Sequence, residues 1–465
     1  MKVLFCIAQL DFADHIAISY LSAVAKNVNC ETFFCSLDSS DLSKEAARIK
    51  PDVVAYSVNI QGFSDIVAAH KKAIESNSFI SIMGGPHPTF SPWTFSESGV
   101  DAYCVGEGEG AFSDFLQRVI NNQPFDDIAN LITKNASNSV RPLIDDLATL
   151  PSPDRELVLS NSFLKDTPKK TFYATRGCPF TCSYCCNNYY HDLYKGKGAI
   201  VRRFPVENLI REIESVKNNY RTTFIKFGDD LFTMKADSWF VEFSQKYAKR
   251  INLPFNCFLR LDTVDDELLN LLKQAGCYSV HLSVDSVSER IREKVLGRRM
   301  RKINIVETLR KIQSYGINTW VNYMLAAPES TLEDDLNTIK MSKQAKVTYS
   351  NFSTTVPMKG TALYDYSIKH GCIKSNYNDD MTGCVRRSTL SCFSEKEKDI
   401  RYNIFLLGCL VSKLKGPLYN LGLFIIKNSK PNKFYKKIKQ ILYNYYIMNK
   451  IFKLPKKYRK ISNKR

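Results

Sequence analysis

The chain has 465 residues, 44% hydrophobic and 24% charged, which is enough apolar material for roughly three domains with cores of their own. That composition excludes a disordered tail protein, a collagen-like fibre and a small disulfide-stapled scaffold, and the lack of any 18-residue apolar run argues against a spanning helix. The net charge of +18 is local: residues 401–465 hold 17 Lys and Arg and no Asp or Glu, leaving 48 basic against 47 acidic residues elsewhere.

The opening MKVLFCIAQLDF reads as a first strand, not as a signal peptide. Together with 14 unevenly spaced cysteines, it favours reduced thiols and a cytoplasmic location. β-rich runs follow at Lys2–Ala8, Glu31–Leu37, Pro51–Val58, Phe79–Gly84 and Asp101–Val105, with helical patterns such as Ile16–Lys26 and Asp65–Ser76 between them. Strands apolar on both faces that alternate with helices predict a doubly wound, Rossmann-like parallel sheet over residues 1–125, with its ligand beyond the strands' carboxyl ends. Residues 126–169 read as a connector with a hairpin, Leu131–Thr133 and Val140–Leu143 around AsnAlaSerAsn, followed by LPSPDR.

A second βα series occupies 170–375. Its predicted strands are Thr171–Thr175, Thr223–Phe227, Phe255–Leu261, Ser279–Val284, Thr319–Leu325 and Ser350–Val356. Helical patterns follow most of them, at Val206–Asn218, Ala236–Lys249, Asp265–Gln274, Ile303–Ser314 and Leu332–Lys343; the last carries a capping-box spacing from Ser330 to Glu333. Six βα units predict a partial (β/α)6 TIM-type barrel with its chemistry at the strand C-termini. Residues 376–465 read as a mostly helical, strongly basic region, with apolar runs Tyr402–Leu414 and Leu418–Ile426 broken by LysGlyPro.

Directly after the first strand of the second series stands ATRGCPFTCSYCCNN, in which Cys178, Cys182 and Cys185 are spaced x3 and x2. Three thiolates on one short loop can hold three irons of a cubane and leave the fourth iron open. A structural zinc site would want four protein ligands. Cys186 offers an alternative spacing but is read as a bystander, because one loop cannot easily aim adjacent cysteines at the same cubane.

The Cys-x3-Cys-x2-Cys loop, with Tyr184 before its third cysteine, resembles the radical S-adenosylmethionine superfamily. The resemblance implies a 4Fe–4S cluster whose open iron is chelated by S-adenosylmethionine, and reductive cleavage of that molecule to a 5′-deoxyadenosyl radical. It also implies S-adenosylmethionine contacts from Tyr184, from Asp229 and Asp230 in GDDLF, where the family has a GGE-like segment, and from Arg260. Ser283 and Asp285 in HLSVDS resemble a ribose-contacting pair, and Tyr323–Pro328 in NYMLAAPEST an adenine-side segment in which alanine replaces the usual glycine.

In the first domain, strand-end glycines in ISIMGGPHPT and VDAYCVGEGEGAF let a bulky ligand approach the backbone, and helix-opening amides favour anionic groups. PDVVAYSV, GGPHPT, GEGE and IDDLATLPSPDR together resemble, in order, the cobalamin-binding domain that precedes the barrel in one subclass of that superfamily. This implies cobalamin contacts from Ser57, Gly84, Gly85, His87, Gly106 and Glu107. The Asp-x-His-x-x-Gly motif of cobalamin proteins that replace the lower base is absent around Asp11, Asp14 and His15, so cobalt is expected without a protein histidine.

The resemblance implies an enzyme that methylates an unactivated centre of a small-molecule or lipid substrate, with an electron donor such as flavodoxin or ferredoxin. Cyclisation or rearrangement is the alternative within the family. Methylthiolation would require a second cluster from Cys6, Cys30, Cys35 and Cys104, which lie in or beside strands. A non-catalytic iron–sulfur or zinc protein is the alternative of another class. Tyr and Phe interleaved with Lys through 434–459 suit an interfacial helix on an anionic membrane, and the same charge would serve nucleic acid, the less favoured partner.

Overall fold

In the computed structural model, residues 1–10, 14–374, 377 and 384–455 are described. Asp11 and the last ten residues of the basic region lie outside them. The first sheet is built from β1 (Lys2–Ile7), β2 (Glu31–Ser36), β3 (Val53–Ser57), β4 (Ile80–Gly84), β5 (Ala102–Cys104) and β6 (Leu131–Thr133). Their order is β2-β1-β3-β4-β5-β6. The first five strands run parallel, and β6 is antiparallel to β5. Helices α1 (Ile16–Asn27), α2 (Leu42–Ile49), α3 (Phe63–Ile74), the short α4 (Pro86–Phe90) and α5 (Phe95–Ser98), and α6 (Glu109–Ile120) connect them. β1 is buried from Val3 to Ile7, as expected of a central strand covered on both faces. The strand order reverses between β1 and β3, which places the ligand crevice at their carboxyl ends.

The hairpin predicted in the connector is not formed as read. Leu131–Thr133 pairs with β5, and the return arm that folds back on it is the nearer stretch 136–139, through Thr133 N to Ala136 O, Asn138 N to Leu131 O and Asn130 N to Ser139 O, and not Val140–Leu143. Val140 and Leu143 are instead buried around Tyr194 with Val105, so burial, not strand pairing, accounts for their apolar character.

Beyond the connector come α7 (Arg155–Ser160), β7 (Lys169–Phe172), the two-residue β8 (Thr175–Arg176), α8 (Cys186–Leu193), the two-residue β9 (Arg202–Arg203) and α9 (Val206–Asn219). The remaining βα units are β10 (Phe224–Phe227), α10 (Ser238–Lys246), β11 (Phe255–Phe258), α11 (Asp266–Ala275), β12 (Cys277–Asp285), α12 (Ile305–Ser314), β13 (Asn318–Leu325), α13 (Leu332–Gln344) and β14 (Tyr349–Thr354). In the second sheet β7 is followed by β10, β11, β12, β13 and β14 in chain order, with parallel pairing from β10 to β14. Adding each strand on the same side with a helical return is the wall of a partial barrel. The capping box of α13 falls one residue later than the spacing suggests: Thr331 caps and Asp334 reciprocates.

The chain divides into two compact units, Met1–Lys170 with Tyr189–Arg221, and Thr171–Asn188 with Thr222–Arg465. Residues 189–221, inside the second series by sequence, therefore belong with the first unit. The second unit also contains α14 (Ala362–Lys369), α15 (Glu395–Lys413), α16 (Gly416–Asn428) and α17 (Lys433–Tyr445). α15 is tied to the barrel by a buried ion pair, Arg401 Nε to Asp335 Oδ2 at 2.6 Å. Among the described residues no helix is long and apolar enough to cross a membrane.

Candidate functional site

The cysteine loop leaves the carboxyl end of the second sheet's first strand and is clamped from two sides. Ser183 N donates to Leu296 O at 3.0 Å and Ser183 Oγ to Val295 O at 2.7 Å, while Ser183 O accepts from Leu363 N at 2.9 Å. Gly297 makes the close approach possible: with φ +60°, any Cβ would lie 3.0 Å from Ser183 N. Tyr184 packs on the adjoining cluster of Ile291, Val295, Leu296 and Leu363. Such a fixed loop can hold three thiolates apart at low entropic cost.

Cys182 is buried and Cys178 and Cys185 are partly so. Burial pushes the Cys178 thiol up to about 11. Burial also raises Cys182, against the opposing charge of Arg298. Cys185 is held down to about 7, chiefly by a hydrogen bond from Cys186 and then by Asn187. Among the described residues no three His, Cys, Asp or Glu side chains converge on one metal ion. A cubane makes no such demand, since each thiolate takes a different iron.

The two aspartates after β10 have different surroundings. Asp229 turns back into the scaffold, where its Oδ1 accepts from Ala174 N (2.8 Å), Thr175 N (2.6 Å) and Thr175 Oγ1 (2.8 Å). Its Oδ2 is buried without a hydrogen-bond partner, and burial raises the carboxyl to about 7. Asp230 faces the cysteine loop: Asn187 Nδ2 donates to its Oδ2 at 3.1 Å and also lies 3.6 Å from Cys185 Sγ.

At the end of β12, Asp285 adopts φ +62°. Its carboxylate accepts from Tyr184 OH at 2.6 Å and from Ser283 Oγ, and pairs with Arg298 Nε at 3.1 Å. Arg260 pairs through Nε with Asp262 Oδ1 at 2.6 Å, donates to Arg299 O, and stacks 3.7 Å from the centre of the Phe180 ring on the cysteine loop. The second sheet thus brings Cys178, Cys182, Cys185, Tyr184, Asp230, Arg260, Ser283 and Asp285 to one edge. Arg298, Asn187 and Phe180 join them without having been picked out from the sequence. The run LGRRM around Arg298 looks like a solvated charge cluster, although its guanidinium is buried and donates to Ser283 O at 2.8 Å.

Along the adenine-side segment Tyr323 is buried, and Ala326 takes φ +56°, the left-handed conformation glycine favours. The Ala326 amide donates to Asp335 Oδ2 at 3.1 Å, the same oxygen that pairs with Arg401.

In the first unit the polar groups are largely satisfied by the protein. Thr89 Oγ1 accepts from Gly106 N at 3.0 Å, and Tyr194 OH accepts from Glu107 N at 2.7 Å. These two amides, expected to favour an anion, are therefore already bonded. The Glu107 carboxylate accepts from Ile144 N at 3.0 Å and pairs with Arg202 at 2.9 Å. His87 stacks on Phe63 with ring centres 3.9 Å apart, and its Nε2 lies 3.0 Å from Thr94 Oγ1. Burial alone lowers it to about 4. Asp14 pairs with buried Arg155 at 2.5 Å. Gly84 and Ser57 sit opposite each other at the ends of β4 and β3, and Gly85 has φ +101° with Val58 N and O 3.0 Å from any added Cβ. What this edge offers a large planar ligand is backbone and shape.

The radical SAM superfamily model matches residues 172–341, and the B12 binding domain model matches residues 11–116. The chain is a radical S-adenosylmethionine enzyme with an N-terminal cobalamin-binding domain. Its cofactors are a 4Fe–4S cluster, S-adenosylmethionine and cobalamin. It is 27% identical over 344 residues to an uncharacterized methyltransferase of Pyrococcus horikoshii, covering 72% of this chain and 73% of that one. It is 24% identical over 383 residues to an anaerobic magnesium-protoporphyrin IX monomethyl ester cyclase of Rubrivivax gelatinosus, covering 75% and 65%. Its fold is similar to that of the radical S-adenosylmethionine methyltransferase TsrM of Kitasatospora setae, with a TM-score of 0.66 and 16% identity over 81% of this chain and 79% of the other.

Proposed function

We propose that the chain is a cobalamin-dependent methyltransferase whose cluster is bound by Cys178, Cys182 and Cys185. The observation that carries the reading is the clamped three-cysteine loop at a sheet edge where Asp230, Arg260, Ser283, Asp285 and Arg298 also gather. The donor set suits the cofactors. Three thiols on one rigid loop match three irons, and Asp230 beside Cys185 is an anionic partner for the ammonium of S-adenosylmethionine. When bound, the cluster and cobalamin would supply one-electron cleavage of a sulfonium and a transferable methyl group.

The protein's own residues position and screen. Arg298, buried beside Cys182 and Asp285, supplies the positive charge for the methionyl carboxylate. Ser283 and Asp285, hydrogen-bonded to each other, are the groups that would hold the ribose hydroxyls. Tyr184 and the aliphatic cluster behind it keep water from the loop. Asp229 acts through Thr175 and Ala174, holding the strand end from which the cysteine loop departs.

In the first unit, Ser57, Gly84, Gly85 and Gly106 would form the cobalamin edge, with His87 and Glu107 bracing the turns. A second cluster of the methylthiotransferase kind has no support among the described cysteines. Cys6 and Cys35 are neighbours across β1 and β2, but Cys104 is on β5, three strands from β1, and Cys30 precedes β2.

The test is anaerobic reconstitution of the full chain, followed by metal analysis and turnover with S-adenosylmethionine labelled in its methyl group. About four irons and one cobalt per chain, with label entering an acceptor, support the reading. Label-free product formed with 5′-deoxyadenosine release moves the assignment to cyclisation or rearrangement. About eight irons without cobalt overturns it.

A further inference from the structure

The C-terminal helices α16 and α17 both pack on α15, and both turn apolar side chains outward. On α16, Leu418, Leu421 and Phe424 are each more than half exposed. On α17, Phe434, Ile441 and Tyr445 recur with Ile438 at helical spacing on one stripe, and Phe434 is 67% exposed.

α17 is inverted relative to an ordinary surface helix. None of its residues is fully buried, and the side chains it directs inward are two tyrosines and a lysine: Tyr443 packs edge-on against Tyr349, Tyr435 OH donates to Ser429 Oγ at 3.1 Å, and Lys439 Nζ donates to Phe405 O at 3.0 Å and lies 3.2 Å from the centre of the Phe405 ring. A helix that sends tyrosines and a lysine to the protein and its phenylalanine and isoleucine outward has its apolar partner elsewhere.

The flanking charge says what that partner is. Lys427, Lys430, Lys433, Lys436 and Lys437 surround the stripe and are exposed, and no carboxylate occurs anywhere in 401–465. A second copy would bring the same positive surface against itself. Nucleic acid would satisfy the lysines but leave leucine, isoleucine and phenylalanine in water. An anionic bilayer satisfies both sets, with apolar side chains entering the acyl boundary and ammonium groups at the headgroups. We propose that α16 and α17 form a peripheral docking surface for anionic lipid membranes, independent of the reaction the enzyme performs.

The experiment is co-sedimentation of the full, cluster-loaded chain with phosphatidylcholine vesicles that contain or lack phosphatidylglycerol. Two variants accompany it: Phe424→Ser/Phe434→Ser/Ile441→Ser, and Lys433→Gln/Lys436→Gln/Lys437→Gln. These side chains are exposed, so both variants keep the parent melting temperature and S-adenosylmethionine cleavage.

The parent is expected to prefer anionic vesicles by about tenfold or more. The apolar variant loses vesicle binding with its charge intact, and the lysine variant loses the anionic preference. Three outcomes overturn the proposal: no sedimentation of the parent; sedimentation unchanged in the apolar variant, which is adsorption by charge alone; and a concentration-dependent dimer abolished by the apolar variant, which makes a second copy the occupant.

Discussion

At the C-terminal edge of the first sheet Thr89 takes the Gly106 amide, Tyr194 takes the Glu107 amide, and Arg202 and Ile144 take the Glu107 carboxylate. At the corresponding edge of the second sheet Asp229 turns inward to hold the strand end, while Asp230 and Arg298 crowd the cysteine loop with charge. A buried polar group paired within the protein stabilises a turn, whereas charges gathered beside a loop of thiols suit a ligand that carries charges of its own. The first edge is therefore suited to a ligand recognised through backbone and shape, and the second to a charged, polyfunctional one. Substitutions should separate the edges: changes in the second remove chemistry, whereas changes in the first remove stability.

The largest effect belongs to the cysteine loop. Replacing Cys178, Cys182 or Cys185 by Ala should drop iron from about four per chain to well below one and abolish 5′-deoxyadenosine release from S-adenosylmethionine. Cys186→Ala, which removes only a hydrogen bond to Cys185, should keep the cluster. Iron analysis with electron paramagnetic resonance decides; full iron in Cys185→Ala with loss in Cys186→Ala would assign the third ligand to Cys186.

Next is the buried pair that joins α15 to the barrel. Arg401→Ala leaves Asp335 charged and unpaired inside the protein, a loss of about 3–5 kcal/mol. Denaturant unfolding should show it as a large fall in midpoint; a change under about 1 kcal/mol would mean that Asp335 is solvated or protonated in the native state. Burial already raises the Asp335 carboxyl to about 6 with Arg401 lowering it, so without Arg401 it titrates higher still: the full loss is expected only at pH above that higher value, and it should shrink as pH falls towards about 6.

Much of this was readable in the sequence, for reasons that also explain what was not. Buried parallel strands are continuous apolar runs, so β1, β3 and β13 lie within two residues of where the sequence puts them. The cysteine spacing is legible because three thiols within eight residues have few structural uses. Val140–Leu143 misleads because an apolar segment packed under Tyr194 looks like a hairpin arm. Arg298 and Arg401 stay hidden because arginine in a charged stretch is nearly always solvated, and only the fold reveals the carboxylates waiting for them. Asp229 and Asp230 are adjacent letters with opposite orientations, a distinction that needs the strand end itself.

His87 tests the first edge by pH. Its native value is about 4 against about 6.5 in an unfolded chain. The unfolded state therefore takes up a proton that the native state refuses, and falling pH favours unfolding. The contribution is whole above about pH 6.5 and is lost as pH falls through about 4, a change of about 3 kcal/mol. Stability curves of the parent and His87→Gln, recorded from about pH 7.5 to about 4, should diverge by this amount. Parallel curves would mean that His87 is protonated, or solvated, in the folded protein.

The smallest effect concerns Ala326, where the resemblance leads one to expect glycine. Its left-handed φ of +56° costs a residue with a Cβ about 1–2 kcal/mol. Against that, the methyl is fully buried beside Leu390 and Phe393, worth about 0.8 kcal/mol, and glycine would add about 0.4–1 kcal/mol of unfolded-state entropy. The opposing amounts are equal within their spread, so Ala326→Gly should change stability by less than about 0.5 kcal/mol. Ala326→Val keeps the strain, adds a branch that the left-handed region excludes, and must fit two more carbons into a closed core; it should cost more than about 2 kcal/mol. A glycine variant stabilised by well over about 1 kcal/mol would show that the buried methyl contributes little, and that alanine is tolerated here rather than favoured.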